Sequence, residues 1–214
     1  MDRLARAWAL VSTRPEWVSR LGDMQAAQQR IVDAGGWMAG PSTLIDVLGL
    51  TSNEVLHCRV LRWLLDPLAR HGIGTLLVGD LLKRCGLNEP QPERSRVTVE
   101  ETRGDTRADI IVTTPNTGGV IVEAKVYATE GVRQGERIEA EWHDAERLVF
   151  LTIHGERLPD TSASRERWLP LSWGWLAERT RTHLAATSDG SEAARQAARH
   201  AASEWTATVL RNFV

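Results

Sequence analysis

Two very apolar segments, residues 108–114 and 120–126, are separated by a turn and carry charged side chains near their ends. Their β-branched residues and the intervening Pro-Asn-Thr-Gly-Gly sequence predict a β-hairpin. Burying a carboxylate or an ammonium group is costly unless the group is paired or bound to a metal. Asp109, Glu123 and Lys125 therefore predict a charged site on an otherwise apolar sheet.

The alternation of side chains along the two strands predicts which residues share a face. A hairpin centred on Thr117 would pair Asp109 with Lys125 and would pair Ile111 with Glu123. Because side chains alternate with period two, the two acids and the lysine then lie on one face, with the carboxylates as diagonal neighbours. A register shift of one residue would instead separate the two acids onto opposite faces.

Two carboxylates and a lysine on one face suit hydrolysis assisted by a divalent metal ion. Mg²⁺ takes oxygen ligands from one or two carboxylates and keeps other positions for water and substrate phosphate. Lys125 would point into the same space, where it could orient or help deprotonate a metal-bound water and neutralise charge on phosphorus. These residues predict phosphodiester hydrolysis with Mg²⁺, for which Mn²⁺ could substitute.

The pattern Asp109 followed by Glu123-Ala124-Lys125 resembles the motif of the PD-(D/E)XK nuclease superfamily. The upstream residues 53–74 resemble the opening helix of a bacterial branch, with Asn-Glu, Trp-Leu-Leu-Asp-Pro and His-Gly in that order. The tripeptide Glu-Ala-Lys is common, so the apolar flanks and this helix carry much of the resemblance. Two later segments, 148–152 and 168–173, are similar to the later strand and the tail of that branch. The whole resemblance covers residues 43–180.

The resemblance implies an α/β fold with a restriction-endonuclease-like core of helix, three-stranded meander, helix and strand, in a mixed sheet flanked by helices. It implies Asp109 and Glu123 as metal ligands, with the Ala124 carbonyl as a third ligand and Lys125 as a catalytic group. It also favours DNA over RNA as the substrate and implies a bacterial anti-phage defence or restriction-like system. The alternative is a catalytically silent module of the same fold that binds nucleic acid or protein.

The chain departs from the superfamily pattern at two places. Ala108 stands where a proline usually precedes the first acid. Some relatives carry Gln-x-x-x-Tyr on the helix after the lysine, whereas this chain has Gln134 and Ile138 at those positions. The resemblance implies that Gln134 positions a phosphate or the attacking water, without the usual tyrosine.

Glu54 has two competing interpretations. The sequence Thr51-Ser-Asn-Glu54 fits a capping box, in which the glutamate reaches back to the backbone N–H of the cap residue. The resemblance instead makes Glu54 a catalytic acid and a further candidate ligand, near the metal or a second metal. Both interpretations require the same carboxylate.

Two further residues near these acids are candidate substrate contacts. His57 lies one helical turn after Glu54 and therefore on the same face, although a single helical histidine is more often structural. Arg107 either meets a phosphate or pairs with Glu100 or Glu101 across the meander.

Arg133 is a third candidate substrate contact. A helix beginning near residue 131 would put Arg133 and Arg137 four residues apart on one face. That face is either a phosphate-binding edge or a solvated surface paired with nearby glutamates, and we favour the second. The net charge of −2 argues against a strongly basic nucleic-acid coat but is compatible with such local clusters.

The chain is long enough for about one domain with additions. We expect an N-terminal helical extension over 1–42, a nuclease core over 43–187 and a C-terminal helix packed on the core over 188–214. Periodicity predicts two helices within 3–34, interrupted near Pro15 and Gly22. The remaining predicted helices span 53–65, 73–85, 131–145, 172–186 and 191–211, and the predicted strands span 97–101, 108–114, 120–126 and 148–153.

The composition restricts the cellular compartment and the binding partners that can be expected. No stretch approaches the roughly 20 apolar residues of a membrane span, and no secretory signal is recognisable. Cys58 and Cys85 are isolated, which argues against a zinc site or a disulfide framework. We therefore expect a cytoplasmic enzyme that binds no membrane, and a partner subunit or a homodimer would add affinity for nucleic acid.

Overall fold

The computed structural model describes residues 14–34, 41, 43–127, 134–158, 167–187 and 193–214. The chain divides into two compact units, Met1–Pro41 and Ser42–Val214. In the first unit, the main described element is helix α1, Arg14–Asp33. The interruption predicted at Gly22 is wrong because a glycine inside a 20-residue helix costs only about 1 kcal/mol relative to alanine. The helix predicted before Pro15 falls outside the described residues.

The second unit contains the predicted helices and strands in the predicted order, together with one further strand. Its described helices and strands are α2 (Leu44–Val47), α3 (Glu54–Leu65), α4 (Gly74–Arg84), β1 (Arg96–Arg103), β2 (Thr106–Thr113), β3 (Gly119–Ala124), α5 (Gln134–Glu141), β4 (Arg147–Thr152), β5 (Trp168–Ser172), α6 (Trp173–Ala186) and α7 (Ala193–Asn212). A 3-10 turn, Pro92–Arg94, precedes β1. None of the helices in the described ranges has both the length and the apolar character that a membrane span requires.

The five strands form one mixed sheet in the order β1-β2-β3-β4-β5. The first three strands are antiparallel neighbours, whereas β4 runs parallel to both β3 and β5. This arrangement confirms the predicted meander and mixed sheet. β5 is not among the strands predicted from the sequence. It is only five residues long, Trp168–Ser172, and it contains Pro170, which lowers its strand propensity.

The predicted register of the central hairpin is wrong by two residues. Ile110 pairs with Val122 and Ile111 with Ile121, so the ladder is centred on Asn116 rather than one residue later. A shift of two residues keeps every side chain on its own face. The prediction that both acids share a face is therefore confirmed, and in the continued register Asp109 stands directly opposite Glu123.

Glu89 fixes the turn that sets this register. Its carboxylate accepts hydrogen bonds from the backbone N–H groups of Asn116 and Thr117, and from both of their side chains. The backbone N–H of Gln91 is a further donor, at 3.0 Å. Burial of Glu89 favours its neutral form, but these hydrogen bonds outweigh burial and lower the pKa of Glu89 to about 2. Glu89, which precedes Asn116 by 27 residues in the sequence, thus decides where the hairpin turns.

Glu89→Gln is expected to lower the Tm by several degrees near neutral pH, because an amide cannot accept hydrogen bonds at both of its heavy atoms. Since the folded-state pKa lies below the ordinary value of 4.5, the carboxylate contributes stability above that pH. The contribution is lost as the pH falls towards 2. Thermal unfolding of this variant beside Glu93→Gln, a control at an exposed position, should show a gap that narrows in acid. Equal Tm values near neutral pH would contradict the role assigned to Glu89.

The sheet packs a hydrophobic core against each of its faces. Ile110 and Val122 belong to the larger core, which includes side chains from α3, α4, α6 and α7. Ile111 and Ile121 point the other way and pack with Ile138 of α5 and with Trp142. The face that carries Asp109 and Glu123 is therefore the face that α5 covers.

Candidate active site

The ends of β2 and β3 open into a cleft of about 190 Å³ on the face covered by α5. Asp109, Glu123 and Lys125 line this cleft, together with Glu54 from the start of α3 and Gln134 from the start of α5. Residues that are far apart in sequence thus converge on one space. A larger hollow of about 430 Å³ lies between α6 and α7, but no carboxylate lines it.

Asp109 is tied to the neighbouring strand by its side chain. Its Oδ2 accepts a hydrogen bond of 2.8 Å from the backbone N–H of Ala124. This contact orients the carboxylate towards the end of β3, beside Glu123. The backbone of Ala124 is thereby brought next to the first acid of the motif.

Glu123 is buried, with only 1% of its surface exposed. Its Oε1 accepts hydrogen bonds from Lys125 Nζ, at 2.5 Å, and from Gln134 Nε2. Its Oε2 is also buried and has no hydrogen-bond partner in the described structure. An unsatisfied buried carboxylate oxygen is costly, so it is a position where a cation would be stabilising.

Lys125 is held in place through its backbone. Its N–H donates to the carbonyl of Leu151 at 2.7 Å, and its carbonyl accepts from Trp173 Nε1 at 3.0 Å. The ammonium group lies 3.8 Å from Glu54 Oε1 in addition to its contact with Glu123. Neighbouring strand and helix residues therefore fix the point from which the side chain enters the cleft.

The capping-box interpretation of Glu54 is wrong. The N-cap of α3 is Asn53, whose side chain accepts from Leu56 N at 2.8 Å, and Glu54 is the first residue of the helix. Glu54 Oε2 instead accepts from the backbone N–H of Val126 at 3.1 Å. The helix start therefore directs this carboxylate to the strand end that carries Lys125.

Comparison with protein-family models gives a match over residues 44–203 to a family of the PD-(D/E)XK nuclease superfamily. The chain belongs to this superfamily. The match runs from α2 into α7 and agrees with the observed fold. Comparisons with the curated proteins and with the solved structures gave no match. The Asn-Glu, Trp-Leu-Leu-Asp-Pro and His-Gly pattern of one bacterial branch remains a prediction.

The PD-(D/E)XK cleft carries an excess of negative charge. Burial, followed by the nearby Asp109 carboxylate, raises the pKa of Glu123 to about 8. Burial acts against a charged Lys125, but Glu123, and then Glu54, outweigh it and raise the pKa of Lys125. Burial therefore favours the neutral form of Glu123, while the carboxylates around Lys125 favour its charged form.

The residues of the cleft fit a divalent cation of the kind that PD-(D/E)XK nucleases typically use. Within the described ranges no three His, Cys, Asp or Glu side chains form a metal-binding group by themselves. A set of two carboxylates, one backbone carbonyl and water suits Mg²⁺, which rarely uses an all-protein cage. Asp109 and Glu123, with its unpartnered Oε2, supply such a pair of acids.

His57 does not reach the cleft, so the expectation that it contacts substrate is wrong. It is fully buried, its Nδ1 accepts from Trp205 Nε1 at 3.1 Å, and its Nε2 donates to the Thr51 carbonyl at 2.8 Å. Both ring nitrogens are therefore engaged within the protein. Burial lowers the pKa of His57, which agrees with a neutral packing residue.

Arg107 lines the cleft and also forms an ion pair of 3.4 Å with Glu100. Both alternatives considered for this residue are thus compatible with its position. Glu100 has a left-handed backbone, with φ of 53°, at the point of β1 that faces Asp109. Arg133, the other arginine predicted to bind substrate, lies outside the described residues.

Two charged cleft residues, Asp105 and Arg137, are not among the predicted site residues. Asp105 lies in the turn before β2, so the strand alternation that places Asp109 on the cleft face does not extend to it. The sequence places Arg137 on a helix face with Arg133, but no sequence pattern indicates that this face lies against the carboxylates of the cleft.

Proposed function

We propose that this chain is a divalent-metal-dependent endonuclease that hydrolyses phosphodiester bonds in DNA. The observation that carries the proposal is the arrangement around Glu123, whose Oε1 contacts Lys125 while its buried Oε2 has no partner. Asp109 lies beside it and is oriented by the Ala124 N–H. A cleft that concentrates acids around one fixed lysine suits cation-assisted attack on a phosphate.

Asp109, Glu123 and the Ala124 carbonyl would hold the ion, which we expect to be Mg²⁺ with Mn²⁺ as a substitute. When bound, the ion supplies Lewis acidity and an acidified water. Lys125 remains protonated in this negative cleft, so it suits the stabilisation of charge on a phosphate oxygen better than proton abstraction.

Gln134 and Glu54 complete the proposed machinery. Gln134 donates to the same Glu123 oxygen as Lys125, so it orients that carboxylate and can also reach a phosphate or a water. Glu54 contacts Lys125 and the end of β3, which makes it a further candidate ligand or a partner that positions the lysine. We assign both residues catalytic roles.

We further propose a cytoplasmic role in bacterial anti-phage defence or a restriction-like system. DNA is favoured over RNA because of the resemblance to a bacterial branch of the superfamily. A partner subunit or a homodimer would add affinity, and α1 supports this because its Trp17, Leu21 and Met24 side chains are exposed. An exposed apolar stripe of this kind is common where a helix meets a partner.

The proposal is tested by incubating supercoiled plasmid, linear duplex, single-stranded DNA and RNA with the protein in Mg²⁺, in Mn²⁺ and in EDTA. We expect nicked or linear plasmid in either metal and intact plasmid in EDTA. Cleavage of RNA alone would overturn the choice of DNA. Failure to cleave any substrate in either metal would favour the silent nucleic-acid- or protein-binding module.

A further inference from the structure

The three cations that line the cleft differ in their partners. Lys125 contacts Glu123, and Arg107 forms its ion pair with Glu100. Arg137, on α5, is exposed and lines the same cleft. Within the described part of the chain, Arg137 forms neither an ion pair nor a side-chain hydrogen bond. Arg137 is therefore the cleft cation that has no bonding partner within the described residues.

The position of Arg137 on α5 directs it towards the catalytic groups. It follows Gln134 by three residues, so the two side chains lie on one helix face. Gln134 reaches Glu123, and Ile138 anchors the next position in the hydrophobic core under α5. The helix face with Arg137 is thus held against the cleft.

Several carboxylates of the cleft and of α5 contact groups other than Arg137. Glu123 accepts from Lys125, and Asp109 accepts from a backbone N–H of β3. On α5 itself, Glu139 pairs with Arg167 at 2.7 Å instead of with Arg137. Arg137 is exposed, as the interpretation of this face as a solvated surface requires, but within the described residues it pairs with none of the nearby glutamates.

We infer that Arg137 binds a backbone phosphate of the nucleic acid adjacent to the scissile phosphate, from the α5 wall of the cleft. This inference rests on the proposed function and names a substrate contact for it. A guanidinium offers two parallel N–H donors to phosphate oxygens, and it stays charged at every physiological pH. An acidic cleft repels a polyanion, so an uncommitted cation at its wall provides the attraction that positions the strand.

The test measures binding separately from cleavage. Fluorescein-labelled duplex and single-stranded DNA are titrated in EDTA with wild type, Arg137→Ala and Arg137→Lys, and anisotropy is followed over a series of salt concentrations. Arg84→Ala is the matched control, since Arg84 is exposed at the end of α4, which packs on the opposite face of the sheet. Circular dichroism confirms that each variant is folded.

We expect Arg137→Ala to weaken binding by about fivefold to tenfold and to reduce the salt slope by about 0.9 for duplex and about 0.7 for single strands. Arg137→Lys should keep most of the slope, and Arg84→Ala should match wild type. Unchanged affinity in Arg137→Ala, an equal loss in Arg84→Ala or no DNA binding by wild type would overturn the inference. Arg137-dependent binding without cleavage in Mg²⁺ would instead support it while contradicting hydrolysis.

Discussion

Lys125→Ala is expected to slow metal-dependent cleavage of DNA by about 10²- to 10³-fold, the effect typical of losing one donor that stabilises transition-state charge. The side chain enters the cleft from a backbone fixed on both sides, by Leu151 and by Trp173. Its ammonium group contacts Glu123 and lies near Glu54. In Lys125→Ala, a water molecule in the vacated space would carry no charge and would not be held in the same geometry.

Lys83→Ala provides a matched control for this measurement, because Lys83 and Lys125 are the two lysines of the chain. Lys83 is exposed in the last turn of α4, and its replacement should leave the rate unchanged. Initial rates of plasmid nicking in Mg²⁺ give the comparison. A Lys125→Ala rate within a factor of about two of wild type would refute a transition-state role, since even the weakest such donors contribute more.

Glu123→Gln is expected to abolish cleavage and, in EDTA, to raise the Tm by a few degrees. The folded-state pKa of Glu123 is raised from 4.5 to about 8 by burial and by Asp109, even with Lys125 beside it. The unfolded carboxyl therefore ionises at a lower pH than the folded one. Stability from this group is fully present below pH 4.5 and is lost as the pH rises through 8.

Glutamine resembles the neutral carboxyl and does not ionise, so it removes this cost while keeping an acceptor for Lys125 and Gln134. The gain in Tm should grow with pH between these two values and vanish in acid. Adding Mg²⁺ should stabilise wild type but not Glu123→Gln, because binding to the folded state alone raises the Tm. A fall in Tm in EDTA, or equal stabilisation of both proteins by Mg²⁺, would contradict a metal site at Glu123.

The parts of the structure that follow from local patterning could be predicted from the sequence. Alternation along 108–114 and 120–126 was sufficient to place Asp109, Glu123 and Lys125 on one face, because strand periodicity does not depend on distant contacts. The family match confirms the superfamily that this motif and the upstream helix indicated. The helical period of 3.6 residues likewise identified α3, α4, α6 and α7.

The features that the sequence did not reveal depend on contacts between distant residues. The hairpin register is set by Glu89, which no local turn rule includes. His57 shares a helix face with Glu54 in projection, yet Trp205 of α7 occupies its ring nitrogen. The role of Glu54 depends on which residue is the N-cap of its helix. The N-cap is Asn53, and Glu54 is turned towards the site.

The most direct test of metal-dependent hydrolysis at this cleft is the initial rate of plasmid cleavage in Mg²⁺ by Asp109→Asn. Asparagine keeps the shape of the side chain and can still accept the hydrogen bond from Ala124 N, but it lacks the charge that would bind a cation. Asp23→Asn, at an exposed position of α1, controls for the loss of one carboxylate. We expect plasmid cleavage by wild type and Asp23→Asn and none by Asp109→Asn. Cleavage by Asp109→Asn at the wild-type rate would contradict the assignment of this cleft as the active site.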